Sequence, residues 1–181
     1  QLGTQVDVIL DGGPCAVGVE STIVSFCGSK PMLLRPGGLP IEEIEAVIGP
    51  LENPPSDAPA PLSPGRLPRH YAPRTPLVVL SNVSTLPSTE RWGLLCLKRP
   101  PEADRFLAVE TLSEDGDLRE AAVNLFAALR RLDDLGLDSI VAQAVPAEGL
   151  GRAIMDRLTR ASARCPADLA SVTRGGSCDG P

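Results

Sequence analysis

Nine of the 19 prolines of this 181-residue chain fall between Pro50 and Pro76. Each proline fixes φ and removes a backbone donor, so neither a helix nor an internal strand can run through this stretch. The chain is thereby divided into a shorter N-terminal part and a longer C-terminal part, joined by a stiff, extended connection. The connection has two characters. Residues 53–61 are Pro- and Ala-rich and poor in large apolar side chains. Residues 63–76 carry Arg66, Arg69 and Arg74, the chain's single His (His70) and single Tyr (Tyr71), and no acidic residue. A spacer needs none of these groups, so the basic stretch reads either as a tether or as a strap over an anionic ligand.

Before the prolines, Val6–Leu10 is expected to be a strand, with a turn at residues 11–14. Val17–Phe26 is rich in β-branched residues and reads as a second strand, and Met32–Arg35 as a short third. Residues 40–48 are expected to be helical, with Pro in the first turn, acids near the N-terminus, and Ile41, Ile44 and Ile48 on one face. Three strands and one helix bury too little surface to stand alone. Residues 1–49 are therefore expected to be the end of a larger domain, or else to pack on the second half as added strands.

After the prolines, Leu77–Leu80, Trp92–Leu97, Phe106–Val109 and Ser139–Gln143 read as strands; the apolar runs at 77–80 and 92–97 suit strands buried on both faces. Asp117–Leu135 has the clearest helical periodicity: Leu118, Ala122, Leu125, Phe126, Leu129 and Leu132 form one stripe, Asp117 can cap it, and Gly136 can close it. A second helix is expected over 149–164. Strands alternating with helices predict a small open α/β sheet over residues 77–164, Rossmann-like in its layering, with a fraying tail at 165–181.

Composition bounds the function. A pI near 4.8 argues against general nucleic-acid binding by net charge. Cys15, Cys27, Cys96, Cys165 and Cys178 form no CxxC pair and do not flank the single His, so no structural metal site is expected and reduced thiols in a cytoplasmic protein are. No apolar run reaches the ~20 residues that span a bilayer. Gly149 and Gly151 before a helix resemble part of a phosphate-binding turn but lack the third glycine of the dinucleotide fingerprint.

The motifs acquire meaning as a set. Asp11-Gly12-Gly13-Pro14, Gly18-Val19-Glu20-Ser21-Thr22-Ile23-Val24, Leu34-Arg35-Pro36-Gly37, Ser63-Pro64-Gly65 and Arg69-His70-Tyr71-Ala72-Pro73 occur in this order. Together they resemble the long, two-domain form of L-threonylcarbamoyladenylate synthase, the YrdC-like family with an added C-terminal domain, over about residues 6–164. The resemblance implies a fold: the C-terminal part of a YrdC-like twisted α/β domain (1–49), a linker or strap (50–76) and a Rossmann-like C-terminal domain (77–164). It also implies a nucleotidyltransferase reaction, in which L-threonine, bicarbonate and ATP become threonylcarbamoyl-AMP and pyrophosphate. The product feeds threonylcarbamoylation of adenosine in tRNA.

By this resemblance Ser21 contacts threonine, Arg35 contacts the nucleotide, and the strap brings His70 and Tyr71 to the ATP site. The chemistry agrees: an Arg fork suits phosphate oxygens, a Ser hydroxyl suits a carboxylate or ammonium group, and a strap excludes water from a labile carbamate. Mg²⁺ would arrive with the ATP phosphates. The family's Lys-x-Arg and Ser-x-Asn motifs do not occur in this chain. Ser25 stands where the family commonly has Asp, Arg66 where an apolar residue is usual, and Asp156 where Asn is common. The chain by itself is therefore expected not to make threonylcarbamoyl-AMP. The competing expectation is a non-catalytic regulatory or nucleotide-binding module that acts with a separate synthase chain.

Overall fold

The computed structural model describes residues 6–13, 15–54, 72–84, 86 and 91–162 of the chain. His70, Tyr71, the rest of residues 55–71 of the expected strap and the tail at 165–181 lie outside the described residues.

Four apolar runs form one parallel sheet. Its strands are β3 (Leu77–Leu80), β4 (Trp92–Cys96), β5 (Ala108–Thr111) and β6 (Ser139–Gln143), in the order β3-β6-β4-β5. Successive residues of a strand face opposite sides, so a continuous apolar run makes two cores at once. Leu77, Leu95, Ile140 and Ala142 enter one core. Val78, Leu94, Cys96 and Val141 enter the other. The first core is closed by α2 (Leu118–Asp133) and α3 (Gly151–Ala161). Among the described residues the second is closed by Val83, Leu86 and Ala103, the last in a 3₁₀ turn at Pro101–Arg105. A mixed α/β fold with a parallel sheet is the expected class. Both long helices nevertheless lie on one face, whereas a doubly wound sheet carries helices on both.

Local chemistry explains most element limits. Asp117 caps α2 by accepting from the backbone N–H groups of Arg119 and Glu120. Gly136, just beyond the helix, has φ 63°, which a glycine adopts without strain. The strand expected at 106–109 begins two residues later, because the 3₁₀ turn holds the chain up to Arg105 and Phe106 caps it.

The N-terminal part is smaller. β1 (Ile23–Ser25) and β2 (Met32–Arg35) form an antiparallel hairpin, and α1 (Ile41–Ile48) follows. Glu52 then returns to β2, accepting from the Leu33 N–H and donating to the Pro31 carbonyl. The strand expected at Val6–Leu10 is not formed: no described strand pairs with it, and Leu10 is 91% exposed. Alternating apolar residues become a strand only where a neighbouring ladder accepts their backbone groups. The second expected strand is confined to Ile23–Ser25 for a reason that belongs to the functional site.

Where the linker enters the sheet, Arg74 pairs with Asp133 and Asp134 at the end of α2, and Asp133 also accepts from the Thr75 N–H. An acid at a helix C-terminus opposes the dipole. Partial burial pushes the Asp133 carboxyl up, but the Thr75 and Arg74 hydrogen bonds outweigh that and hold it below its ordinary range. A depressed carboxylate contributes stability that is complete above the unfolded value near ~4 and is lost as pH falls through the lower folded value. The difference in urea midpoint between wild type and Asp133→Asn is therefore expected at pH 6 and should shrink as pH falls below about 4. Within the core, Leu125→Ala should cost about 2–5 kcal/mol by chemical denaturation. Val47→Ala, at a site 84% exposed, should cost less than about 0.5 kcal/mol.

Candidate functional site

Pro36-Gly37-Gly38 breaks β2 and turns the chain back across residues 20–22. The Gly38 N–H donates to the Glu20 carbonyl at 2.8 Å. The Thr22 hydroxyl donates to the Leu39 carbonyl at 2.6 Å and accepts from the Leu39 N–H at 3.2 Å. The first of these bonds takes up a carbonyl that a longer β1 would have used, and residues 17–22 run as a loop. Gly37 is required for proximity: a Cβ there would lie 2.3 Å from the Glu20 carbonyl oxygen and 2.4 Å from the Thr22 nitrogen. No flexible side chain could move aside, because the obstructing atoms are backbone.

This stacking brings two expected site residues together. Arg35 ends β2, is 7% exposed, and donates from Nε and Nη2 to the Ser21 carbonyl at 3.2 and 3.0 Å. Its Nη2 also lies 3.4 Å from Ser21 Oγ. A hydroxyl and a guanidinium are thus held side by side at the mouth of a glycine-lined turn. Such a pair can bind a carboxylate or a phosphate oxygen.

The loop that carries Ser21 rests on the C-terminal unit. Gly18, with φ 74°, lies so close to α2 that a Cβ would meet the Val123 Cα at 2.3 Å and the Ala122 carbonyl oxygen at 2.4 Å. Val19 packs against the larger core. Glu20 accepts from Arg157 of α3, with Nε and Nη2 at 3.0 and 2.9 Å from Oε2. The same Nη2 donates to the Pro36 carbonyl at 3.2 Å, and Nη1 donates to Asp156 at 2.5 Å. Residues 17–20 therefore do pack on the second half, through a loop and not as added strands. Nothing local in the sequence exposes a contact between residues 137 positions apart. The available signal is that Arg157 interrupts the buried stripe Ala153, Ile154, Leu158 and Ala161.

Other candidates resolve into packing. The Gly149 N–H donates to Glu42 Oε1 at 3.4 Å, and Arg152 Nε lies 3.3 Å from the same oxygen. Glu42 is held below its ordinary range, first by its own backbone N–H and further by Gly149 and Arg152, with burial opposing. A Cβ on Gly151 would sit 1.9 Å from the Pro146 carbonyl oxygen. Close approach thus accounts for Gly151 without a phosphate. Arg74, the one arginine of the basic stretch within the described residues, is tied to α2. Cys15, Cys27 and Cys96 form no disulfide, and among the described residues no cluster of three or more His, Cys, Asp or Glu could hold a metal. No helix of the described residues is long and apolar enough to cross a membrane.

One consequence of the stacking is testable without a ligand. Gly37→Ala should lower stability by about 1–3 kcal/mol, read as a reduced urea midpoint. Gly12→Ala, where a Cβ meets nothing within 4 Å, should change it by less than about 0.5 kcal/mol.

Comparison with known proteins places this arrangement. Residues 39–163 match a family described as threonylcarbamoyl-AMP synthase, C-terminal domain, and residues 1–37 match one described as telomere recombination. The chain is 37% identical over 170 residues to a threonylcarbamoyl-AMP synthase of Pyrococcus abyssi, covering 87% of this chain and 50% of that protein. It is 37% identical over 166 residues to the Bacillus subtilis enzyme, covering 85% and 48%. The Schizosaccharomyces pombe enzyme is 34% identical over 185 residues, covering 87% and 45%. The chain thus spans about half the length of the curated relatives it matches. Among solved structures, P. abyssi Sua5 complexed with L-threonine aligns with a TM-score of 0.71 at 34% identity, over 89% of this chain and 51% of that one. A variant of that protein, with a His and the adjacent Tyr replaced by Ala, aligns with a TM-score of 0.70 at 34% identity, over 84% and 47%. The chain belongs to the threonylcarbamoyl-AMP synthase family, whose C-terminal domain takes up residues 39–163.

Proposed function

We propose that the chain serves in a threonylcarbamoyl-AMP synthase that condenses L-threonine, bicarbonate and ATP. The threonine nitrogen is carboxylated to a carbamate, a carbamate oxygen attacks the α-phosphorus of ATP, and pyrophosphate leaves. Residues 1–49 belong in this reading to the catalytic unit, 50–76 to the strap and 77–164 to the C-terminal unit. The observation that carries it is the apposition of Ser21 and Arg35 in a chain of this family.

In this reading Ser21 receives L-threonine through its hydroxyl, in keeping with a solved relative that holds L-threonine. Arg35 serves the nucleotide: a buried guanidinium strengthens a phosphate contact because less water competes. His70 and Tyr71, the chain's own adjacent His-Tyr pair, are assigned to the ATP site as parts of a strap that shields the carbamate from water. Mg²⁺ enters with the ATP phosphates. The product passes to the tRNA threonylcarbamoyl transferase machinery in the cytoplasm.

The test is pyrophosphate release by the natural gene product, supplied with ATP, L-threonine and bicarbonate. Release should require all three substrates. Ser21→Ala should raise KM for L-threonine about tenfold, as expected for a lost hydrogen bond to a charged group. Absence of threonine-dependent release, or an unchanged threonine KM in Ser21→Ala, would contradict the proposal.

A further inference from the structure

Arg157 is the largest side chain among the described residues with no exposed surface. It stands on the face of α3 that is otherwise apolar, beside Ala153, Ile154, Leu158 and Ala161. A guanidinium in such surroundings persists only where anionic and carbonyl acceptors meet it. Two of its acceptors are Glu20 and Pro36. Glu20 immediately precedes Ser21, and Pro36 immediately follows Arg35. One planar group from the C-terminal unit therefore grips both segments of the candidate site at the residues bordering the functional pair.

Arg157 and Arg160 face Glu20 and Asp156, with Arg160 donating to both oxygens of Asp156. Asp156 is thereby engaged on its own helix, and the Glu20 carboxylate is a charged partner that lies across the contact. A lysine could not reproduce this, since an ammonium group has no fixed fork. We propose that Arg157 is a positioning residue of the Ser21–Arg35 site, through which the C-terminal unit sets the geometry of the substrate-binding loop. This rests on the reading that Ser21 and Arg35 bind substrate. It assigns the C-terminal domain a direct part in substrate affinity, beyond that of a packed appendage.

Two readouts test it, one of which needs no activity. In the 181-residue chain, Arg157→Met should accelerate hydrogen exchange at the Gly38 and Leu39 amides at least tenfold. These amides are bonded to the Glu20 carbonyl and the Thr22 hydroxyl. The sheet amides of Ile140 and Ala144, bonded to Pro76 and Leu80, should keep their rates. In the natural gene product the same substitution should raise KM for L-threonine at least tenfold and change kcat less than threefold. Unchanged exchange at Gly38 and Leu39, equal acceleration throughout the sheet, or an unchanged threonine KM would overturn the proposal. Should Arg157→Met not fold, Glu20→Gln decides, because Glu20 is partly exposed and lies outside the α3 core. The same local acceleration supports the proposal, and wild-type exchange overturns it. If wild-type protein shows no synthase activity, the proposed function fails, while the exchange measurement still decides whether Arg157 holds the loop.

Discussion

A guanidinium with no access to water must be neutralised where it lies, and Arg157 meets that requirement with groups drawn from three parts of the chain. Its position on α3 depends on the parallel sheet beneath the helix. Its partners Glu20 and Pro36 depend on the glycine-mediated crossing of two N-terminal segments. The interaction therefore joins the sheet-and-helix core to the segments that carry Ser21 and Arg35. Removing one member of a buried ion pair leaves an uncompensated charge, which is why such contacts impose geometry even where their net contribution to stability is small.

Close backbone approach operates both between the halves and within the N-terminal part. Gly18 lies against α2 and Gly37 lies against residues 20–22, each at distances that no Cβ permits. Small residues at these points let Ser21 and Arg35 be set by main-chain contacts, which are stiffer than side-chain rotamers. The sheet, in turn, is rigid because its central strands β4 and β6 are apolar on both faces and belong to two cores.

Much of this was legible in the sequence wherever the determining contacts are local. The runs at 77–80 and 139–143 became strands with the expected limits, since two-sided burial and β-branched residues act over a few positions. The limits of α2 followed from an Asp cap and a terminal glycine. Ser21 and Arg35 were found through motif order, and the structure brings them into contact. The failures share a cause. Val6–Leu10 has strand composition, but no described strand pairs with it. Residues 17–22 have β-branched composition, yet the Glu20 carbonyl is taken by Gly38 and the Thr22 hydroxyl by Leu39, both on the returning turn. Arg157 could be seen as a charge on an apolar stripe, but its partner lies 137 residues away, where no periodicity reaches.

The hold of α3 on the Ser21 loop depends most on the coupling between Arg157 and Glu20, and a double-mutant cycle of Arg157→Met and Glu20→Gln measures it directly by urea denaturation. Contacting residues in one ion-pair network are expected to couple by about 0.5–3 kcal/mol, and this pair should fall in the upper half of that range. Effects that add to within about 0.5 kcal/mol would mean that the two side chains act independently, and that the C-terminal unit does not hold the Ser21–Arg35 loop.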